Sequence, residues 1–371
     1  MFHWILITIT FILLAVYSFL LLYLRKGFNQ LKPGDSNYSP TVTVIIPAHN
    51  EEKNLPHLLD CLAHQDYPID LREIILVDDR SRDKTYKIMK AFAARYSNVK
   101  VISIQDTVRE ITPKKRAIKK GIDSSIGEII ITTDADSLPA PNWISEIIRA
   151  YRKNTKMVLG YAPYCTDPPF NTLFHRILAL DYFAMGAIAA ASVGVSHPTT
   201  CNGANLSYRK EVFQEVNGFG ETAKFLSGDD DLFLHRVHKK YPLGINFALT
   251  PGSAVFNIPP ENFWKFVRQR IRFASKHLAY PLWLKTILSS IYLFNLSLLW
   301  YMIGSFLSIS YLPILLTLLF TKAVFEIIFL SRGQHFLEKR NLLWVYPIAA
   351  IPHIFYVVLF PLLGQVVKKK W

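Results

Sequence analysis

The chain has 371 residues, of which 51% are apolar and 19% are charged, and its 42 basic and 28 acidic side chains give a formal charge of +14. The 25 Phe, 18 Tyr and 7 Trp exclude a disordered chain. Three widely spaced cysteines exclude a disulfide framework and a cysteine-based zinc site. A basic excess is typical of proteins that meet nucleic acid, anionic lipid or phosphate-bearing substrates, and the apolar ends of the chain favour the last two.

The first apolar segment is an uncharged run over residues 2–24, directly followed by Arg25 and Lys26. At about 1.5 Å per residue, the run is long enough to cross a bilayer core of about 30 Å. The basic residues follow the run, whereas a cleaved secretory signal would have them before it. The sequence therefore predicts a transmembrane anchor over residues 1–26, with the next domain on the cytosolic side of a cell membrane. Residues 27–40 are polar and are predicted to be a linker.

Residues 41–259 show a different pattern, in which β-branched runs alternate with amphipathic stretches. The predicted strands are 42–46, 73–77, 99–104 and 128–133, and the predicted helices between them are 52–65, 83–95 and 113–124. This alternation predicts an α/β domain with a Rossmann-like, mostly parallel, buried sheet. Ligands of such sheets bind at the carboxyl ends of the strands.

Acidic residues follow two of the predicted strands. Asp134 and Asp136 are one residue apart after the strand at 128–133, so both carboxylates can approach one cation. Mg²⁺ commonly takes one or two carboxylates together with substrate phosphates. Asp78 and Asp79 end the strand at 73–77, and a carboxylate there can accept a hydrogen bond from a nucleobase or a ribose hydroxyl. Asp83, four residues further on, is predicted to cap the next helix.

Two further segments carry polar side chains that suit either a helix cap or a site. Asn50 can cap the helix that follows the first strand, with Glu52 in its first turn, but a cap does not account for His49. Asp229, Asp230 and Asp231 precede a helical stretch. They are interpreted either as an N-cap or as the location of a general base.

Two basic segments are also candidates. Residues 114–120 carry five basic side chains, most of which are expected to be solvated while one contacts a diphosphate. Residues 261–280 mix arginines with aromatic residues, which is typical of an amphipathic helix in the membrane interface with its basic residues at the lipid headgroups. This interfacial segment is assigned to residues 260–283.

The C-terminal region, residues 284–371, is apolar again. Two spans are predicted at 286–304 and 309–330, joined by a tight turn, and the basic stretch 331–341, with Lys339, is expected in the cytosol. A last apolar run at 343–366 contains three prolines and precedes Lys368–Lys370. One full crossing would place these lysines outside, whereas their charge favours the inside, so a broken, re-entrant or hairpin segment is an alternative to one helix.

Six segments together resemble those of glycosyltransferase family 2, in its membrane-anchored, inverting form with a GT-A fold. The resemblance covers residues 43–276, and the segments stand in this order: TVIIPAHNEEKNL, VDDRSRDKT, TTDADS, TCNGANLSYRK, SGDDDLFLHR and QRIRF. It implies a GT-A catalytic domain with one N-terminal and two to three C-terminal transmembrane segments.

The resemblance implies a role for each matching residue. Nucleotide-sugar binding falls to Pro47, His49, Glu51, Asp79, Lys114, Asp134, Gln269, Arg270 and Arg272. The metal, Mg²⁺ or Mn²⁺, falls to Asp134 and Asp136, and the general base to Asp230, with Asp229 as the alternative. The acceptor side falls to Asn202, Gly203, Asn205 and Phe273.

The implied activity is transfer of one sugar from a nucleotide-diphosphate sugar, with a UDP-sugar favoured, to a lipid or lipid-linked acceptor in the membrane. Two departures bear on it: the acidic pair reads Asp229–Asp230 where many relatives have Glu–Asp, and Phe273 stands where many have Trp. The second argues against a processive polysaccharide synthase, which remains an alternative together with a non-catalytic membrane scaffold. Nucleic-acid binding is not expected, because no basic face with interleaved aromatics occurs outside 261–280.

Overall fold

The computed structural model describes residues 2–106, 111–338 and 340–366, so Lys339 and Lys368–Lys370 lie outside the described residues. The chain divides into two compact units. The sheet unit comprises Leu31–Cys165 and Ile188–Pro259. The helical unit comprises the chain up to Gln30, Thr166–Ala187, and the chain from Pro260 onward. The range 41–259 expected for one domain is thus interrupted by an apolar helical segment that clusters with the terminal helices.

The described residues form nine strands. These are β1 Val42–Ala48, β2 Arg72–Asp79, β3 Val99–Ile104, β4 Ile129–Thr132, β5 Ser137–Pro139, β6 Met157–Gly160, β7 Leu206–Arg209, β8 Ile245–Ala248 and β9 Val255–Asn257.

The described residues also form twelve α-helices. These are α1 Phe2–Gly27, α2 Leu55–Ala63, α3 Thr85–Ala93, α4 Pro113–Ser124, α5 Trp143–Arg149, α6 Leu173–Gly194, α7 Lys210–Glu215, α8 Asp231–Lys240, α9 Phe263–Ala274, α10 Leu282–Leu307, α11 Leu312–Leu337 and α12 Tyr346–Val366.

The main sheet of the sheet unit has seven strands in the order β3-β2-β1-β4-β7-β6-β8. Strands β3, β2, β1 and β4 run parallel, β7 is antiparallel to both of its neighbours, and β6 and β8 are parallel. Strands β5 and β9 form a separate antiparallel pair. The predicted α/β fold with a mostly parallel sheet is therefore confirmed, and its four predicted strands are β1 to β4.

Strands β1, β2 and β4 are buried because most of their side chains are apolar on both faces, as expected when helices cover a sheet. Ile45 of β1 and Leu76 of β2 have no exposed surface. In the register, Ala48 pairs with Asp78, and Ile45 pairs with Thr132 of β4. The residues that follow β1, β2 and β4 therefore emerge at one edge of the sheet, and this edge is where the acidic segments of the sequence meet.

At the opposite edge, one buried carboxylate joins the strands. Glu73 of β2 accepts hydrogen bonds from Thr43 Oγ1 of β1 (2.6 Å), from Lys100 Nζ of β3 (2.6 Å) and from the Ile126 N–H before β4 (2.9 Å). Burial alone would raise the pKa of the Glu73 carboxyl, but these hydrogen bonds outweigh it and hold the pKa below its ordinary value of 4.5. Thr43 Oγ1 in turn accepts the Gly127 N–H at 2.9 Å. This network fixes the register of the four parallel strands.

The cap predicted at Asn50 is wrong. Helix α2 begins at Leu55, and Asn50 lies in the preceding loop with a φ of 57°. Its side-chain oxygen accepts the Arg82 N–H at 2.8 Å, and Glu52 accepts the Lys84 N–H at 3.1 Å. Asn50 and Glu52 therefore connect the loop after β1 to the loop after β2. The second loop precedes the start of α3, and its N–H groups donate to the amide and the carboxylate of the first.

The predicted caps and helices of the second segment agree better with the structure. Asp83 Oδ1 accepts the Thr85 N–H at 3.0 Å at the start of α3, as expected of a residue at a helix N-terminus. Helix α4 has the predicted bounds, and α3 is two residues shorter at each end than its predicted stretch.

The helical unit contains most of the long apolar helices. By length and composition, five helical stretches of the described chain can cross a membrane: His3–Gly27, Leu173–Gly194, Leu282–Leu307, Ile309–Leu337 and Leu343–Val366. These stretches indicate a membrane protein, as predicted. The stretch Leu173–Gly194 lies within residues 41–259, which the sequence predicts to form the α/β domain. It is 61% buried, against 22–28% for the other four, so it is mainly enclosed by protein.

The C-terminal stretches show where the predicted turn lies and whether the last apolar run forms one helix. The turn between α10 and α11 lies at Ser308–Tyr311, as predicted, and α11 continues to Leu337. The last run forms one helix, α12, which continues through Pro352 and Pro361. A hairpin or a break within residues 346–366 is therefore excluded.

We predict that Glu73→Gln lowers the free energy of unfolding by about 1–3 kcal/mol at neutral pH, because a neutral amide satisfies the three donors less well. The folded pKa of Glu73 is depressed, so its contribution is complete above the unfolded pKa of 4.5 and is lost as pH falls through the folded value. The difference between wild type and variant should accordingly shrink below pH 4.5. Thermal unfolding of both proteins in detergent, measured as a function of pH, tests this.

The matched control is Asp123→Asn, because Asp123 forms an exposed i,i+4 pair with Lys119. It should change stability by less than about 0.5 kcal/mol at any pH. A Glu73→Gln difference that stays constant down to pH 3.5 would contradict the assigned role of the carboxylate.

Candidate active site

The loops that follow β1 and β2 are joined at the site edge of the sheet. His49 Nδ1 donates to the Asp79 carbonyl at 2.6 Å, which leaves Nε2 to accept from Asn50 at 3.0 Å. The Asn50 and Glu51 N–H groups donate to Ser81 Oγ (3.0 Å) and to Thr85 Oγ1 (2.8 Å). The His49 ring is therefore held between the two loops by both of its nitrogens.

The Asp79 carboxylate is buried at the end of β2 with one oxygen engaged. Its Oδ1 accepts from Arg116 Nη2 at 2.6 Å and from Arg80 Nε at 2.8 Å. Its Oδ2 has no hydrogen-bond partner among the described residues. A buried acceptor oxygen without a partner is costly, so it marks a position where a ligand donor would be favourable.

Asp134 and Asp136 follow β4, separated by the buried Ala135, and both side chains are half-buried. Burial, followed by the charges of Asp134 and Glu51, raises the pKa of the Asp136 carboxyl to about 7. Burial, opposed by a hydrogen bond from Asn54 and reinforced by the charge of Asp134, also raises the pKa of Glu51. Three carboxyl groups from the ends of β1 and β4 therefore interact electrostatically.

Lys114, at the start of α4, is the cation at the centre of this acidic region. Its Nζ lies 2.7 Å from Asp134 Oδ1 and 3.0 Å from Asp229 Oδ2. Burial would lower the pKa of Lys114, but the charges of Asp134 and Asp229 outweigh it and raise the pKa above its ordinary value. One ammonium group thus joins the acidic residues after β4 to the acidic segment before α8.

Asp230 is the N-cap of α8, and both of its carboxylate oxygens accept backbone N–H groups. Oδ1 accepts from Asp231 at 2.7 Å, and Oδ2 accepts from Gly203 at 3.2 Å. A Cβ at Gly203 would lie 3.0 Å from Asp229 Oδ2, so the absence of a side chain allows this close approach. The two interpretations of this segment, as a helix cap and as the location of a general base, are therefore compatible, because the Asp230 side chain can have both roles.

The solvated role expected for most of the basic residues of α4 is wrong for two of them. Lys115 is 1% exposed and donates to the carbonyls of Thr222, Phe225 and Ser227. Arg116 is buried against Asp79. Helical periodicity could have found Lys115, which lies one turn before the buried Ile118 and shares its side of the helix. It could not have found Arg116, which lies one turn before the exposed Lys120.

On the expected acceptor side, two asparagines differ in their burial. Asn202 is half-buried and accepts the Ala204 N–H at 3.0 Å. Asn205 is completely buried, where it accepts from Trp143 Nε1 and donates to the carbonyls of Tyr161 and Ser253. Asn205 has no surface to offer an acceptor, so any effect on the acceptor side is exerted through the loop that it holds.

The residues of the QRIRF segment lie on α9, in the helical unit. Arg270 is 1% exposed, and its guanidinium is ion-paired with Asp181 of α6. The rings of Tyr182, Phe266, Phe273 and Tyr356 lie within 5.3–5.6 Å of it. These contacts favour a role for Arg270 in holding α9 to α6 and α12 over the expected diphosphate contact. Gln269 is half-buried and Arg272 is exposed.

The acidic side chains of the site bear on whether a divalent cation can bind there. Within the described ranges, no group of three or more His, Cys, Asp or Glu side chains is arranged to hold a metal ion. Two half-buried carboxylates, Asp134 and Asp136, are the number that Mg²⁺ takes from protein when phosphate and water complete its shell. Burial is the main cause of the raised pKa of Asp136, and the charges of Asp134 and Glu51 add to it, so negative charge is in excess there. The site therefore fits a cation that arrives with a phosphate-bearing ligand.

These features define an α/β enzyme whose acidic site lies at the carboxyl ends of parallel strands. The family model described as Glycosyl transferase family 2 matches residues 43–216, which confirms the predicted resemblance over that part of the chain. This match and the relatives support a glycosyltransferase, as the sequence predicted.

Two curated relatives illustrate the relationship. The probable glycosyltransferase YdaM of Bacillus subtilis is 26% identical over 281 residues, which cover 72% of this chain and 65% of that protein. Glycosyltransferase AglE of Haloferax volcanii is 25% identical over 266 residues, 71% of this chain and 81% of that protein. The chain thus spans just under two thirds of the first relative.

Among solved structures, mannosyltransferase PcManGT from Pyrobaculum calidifontis, in complex with GDP-Man and Mn²⁺, has a TM-score of 0.59 to this chain. It is 21% identical, and the match covers 96% of this chain and 99% of that one. At this identity the likeness establishes a shared fold, which confirms the predicted GT-A class.

We predict that Asn205→Ala lowers the free energy of unfolding by about 2–4 kcal/mol, because it leaves buried donors and acceptors of three residues without their partner. The control Asn202→Ala removes one hydrogen bond at a half-buried turn and should cost about 1 kcal/mol. Thermal unfolding in detergent compares them. Equal losses would contradict the distinction between a buried scaffold residue and a residue of the site surface.

Proposed function

We propose that the protein is a membrane-bound, inverting glycosyltransferase that moves one sugar from a nucleotide-diphosphate sugar to a lipid or lipid-linked acceptor. The observation that carries the proposal is the convergence, in one unit, of Asp79, Asp134, Asp136, Lys114 and Asp230. They come from four separate segments of the sequence and lie at the sheet edge where α/β enzymes bind their ligands.

The donor side is assigned to the loops after β1 and β2. The partnerless Oδ2 of Asp79 suits an N–H of the base or a hydroxyl of the ribose, and Arg116 keeps that carboxylate oriented. Pro47, His49 and Glu51 would line the same nucleoside position. Lys114 would contact the diphosphate as a point charge.

Asp134 and Asp136 would hold Mg²⁺ or Mn²⁺ together with the donor diphosphate. A divalent cation stabilises the negative charge that builds on a departing diphosphate. PcManGT, which shares the fold, was determined with GDP-Man and Mn²⁺, and this supports the pairing of a nucleotide sugar with a divalent cation. It favours neither UDP nor GDP for this chain.

Asp230 would act as the general base. Its oxygens are fixed by the N–H groups of Gly203 and Asp231, so the carboxylate is oriented before an acceptor arrives. It would take the proton of the acceptor hydroxyl while the oxygen attacks the anomeric carbon, and the sugar inverts in this single displacement. Asp229 is the less suitable base, because its carboxylate is paired with Lys114.

A lipid or lipid-linked acceptor is proposed because five helical stretches can span a membrane. The catalytic unit is proposed to face the cytosol, in keeping with Arg25 and Lys26 after the first apolar run. Gln269, Arg272 and Phe273 belong to the helical unit. Their expected roles, at the diphosphate for the first two and on the acceptor side for Phe273, stay predictions from the family resemblance.

The proposal is tested by incubating the purified, detergent-solubilised protein with a panel of nucleotide sugars, a membrane lipid extract and Mg²⁺ or Mn²⁺. Released nucleoside diphosphate and the mass of the labelled lipid are measured, with a chelator as a control. We expect chelator-sensitive release with one donor and the addition of one sugar to a lipid. A ladder of masses would indicate a polysaccharide synthase, and donor binding without release would indicate a scaffold.

We predict that Asp230→Asn lowers kcat by about 10²–10⁴-fold, because the amide cannot take the acceptor proton. The dissociation constant of the donor should change by less than about twofold, since the amide oxygen can still accept an N–H. Turnover assays and donor-binding calorimetry measure the two quantities separately. Unchanged turnover would transfer the base role to another residue.

We predict that Asp79→Asn weakens donor binding by about tenfold, which corresponds to about 1.4 kcal/mol, because one acceptor oxygen becomes a donor group and the charge facing Arg116 is lost. The acceptor KM should not change. Asp123→Asn, at an exposed position on α4, serves as the control and should bind the donor normally. A normal donor dissociation constant in Asp79→Asn would exclude Asp79 from the nucleoside position.

A further inference from the structure

The segment that leads into Asp229 and Asp230 has little regular structure of its own. A short 3₁₀ helix covers Gly220–Lys224, and residues 225–230 lie in no helix or strand until α8 begins. Gly228, in the middle of this stretch, has a φ of 84°, which turns the chain immediately before Asp229. A general base carried by such a segment depends on contacts made by other elements for its position.

Lys115 supplies those contacts from α4. Its ammonium group donates to the carbonyls of Thr222 (2.6 Å), Phe225 (2.9 Å) and Ser227 (3.0 Å). These carbonyls are spread over six residues, so one group fixes the path of the whole segment. The last of them, Ser227, lies three residues before Asp230.

Two other observations support this position of Lys115. The side chain is 1% exposed, and its ammonium lies 5.8 Å from the centre of the Phe219 ring. Thr112, just before α4, donates its N–H to the Ala223 carbonyl at 3.1 Å and its hydroxyl to the carbonyls of Ala223 and Phe225, both at 3.3 Å. The start of α4 and residues 222–227 are therefore joined at several points.

We propose that Lys115 is a positioning residue for the general base, an assignment that rests on the proposed function. Lys115 fixes the chain upstream of Asp230, while the start of α8 and the Gly203 N–H fix it downstream. Its neighbour Lys114 pairs with Asp229 from the same turn of α4. Helix α4 thus acts on the acidic segment in two ways. Lys114 places a positive charge next to Asp229, and Lys115 fixes the backbone path of residues 222–227.

The decisive variant is Lys115→Met, which keeps the length of the side chain and removes its donors. A displacement of a catalytic group by about 1 Å costs about 10²-fold in rate, so we expect kcat to fall by about that factor. The donor dissociation constant, measured by calorimetry with the nucleoside diphosphate and Mn²⁺, should stay within about twofold. Lys115→Arg, which keeps the charge and the donors, should recover part of kcat.

A second measurement does not depend on turnover. Hydrogen–deuterium exchange of the full-length protein in detergent should show faster exchange at residues 220–231 in Lys115→Met, with the strands of the sheet unchanged. Lys119→Met is the matched control, because Lys119 lies on the same helix in an exposed pair with Asp123. It should leave both kcat and exchange unchanged.

If Lys115→Met does not fold, Thr112→Val gives the same test in a milder form, since it removes only the hydroxyl bonds to Ala223 and Phe225. It should lower kcat several-fold and speed exchange in the same segment. Normal kcat together with normal exchange at 220–231 in either variant would overturn the proposal. Loss of donor binding in parallel with kcat would also overturn it, because the effect would then not be confined to the base.

The failure of the proposed function is distinguishable from the failure of this inference. If the wild type transfers no sugar, the proposed function fails, whereas local exchange at 220–231 still reports whether Lys115 holds the segment. If the wild type is active and Lys115→Met is equally active, the function stands and the positioning role is wrong.

Discussion

The site depends on how negative charge is compensated at one edge of the sheet. The parallel strands β1, β2 and β4 bring Glu51, Asp79, Asp134 and Asp136 to the same edge, and the segment before α8 adds Asp229 and Asp230. Like charges at such distances oppose folding unless cations lie among them. Helix α4 provides those cations from a single turn: Lys114 to Asp134 and Asp229, and Arg116 to Asp79. The acidic edge therefore depends on the position of α4, because α4 carries the cations that compensate its negative charge.

The parallel sheet could be predicted from the sequence because its signal is local. A run such as VTVII is apolar and β-branched throughout, and its only stable environment is between two layers of helices. The acidic residues at the strand ends could also be predicted, since the topology of a parallel sheet places such ends together. The contacts of Asn50 could not, because its partner Arg82 comes from a different loop, 32 residues away. An asparagine side chain suits both a helix cap and a hydrogen bond between two loops. Only the tertiary structure shows which of these two roles Asn50 has.

The basic residues of α4 illustrate a second limit. Charge alone suggested solvation for Lys115, whereas its stem follows the apolar face of the helix and its ammonium replaces water at three carbonyls. The apolar length of α6 was missed for a related reason. Asp181 lies in the middle of that helix, and an acidic residue there argues against a membrane-spanning assignment until its partner is known. The partner, Arg270, comes from a segment 89 residues away.

The helical unit also contains buried charges that are paired with another element or with the next helical turn. Lys322 of α11 lies 2.7 Å from Glu326, which also accepts the hydroxyl groups of Tyr17 and Tyr346 from α1 and α12. Removing one partner of such a pair leaves an uncompensated buried charge, whereas the complete pair costs little. The tyrosine contacts of Glu326 therefore join α11 to α1 and α12, a task that apolar side chains in an apolar solvent perform poorly.

The pairing of Lys114 affects the form in which the proposed donor can bind. Its ammonium is shared between Asp134, on the proposed metal side, and Asp229, next to the proposed base. A diphosphate that drew Lys114 away without a cation would leave both carboxylates, and Asp136 beside them, uncompensated in a half-buried site. Mg²⁺ or Mn²⁺ held by Asp134 and Asp136 together with the diphosphate would supply compensating positive charge at the carboxylates on the proposed metal side. The charge arrangement of the sheet unit therefore favours binding of the proposed donor as its metal complex over binding of the nucleotide sugar alone.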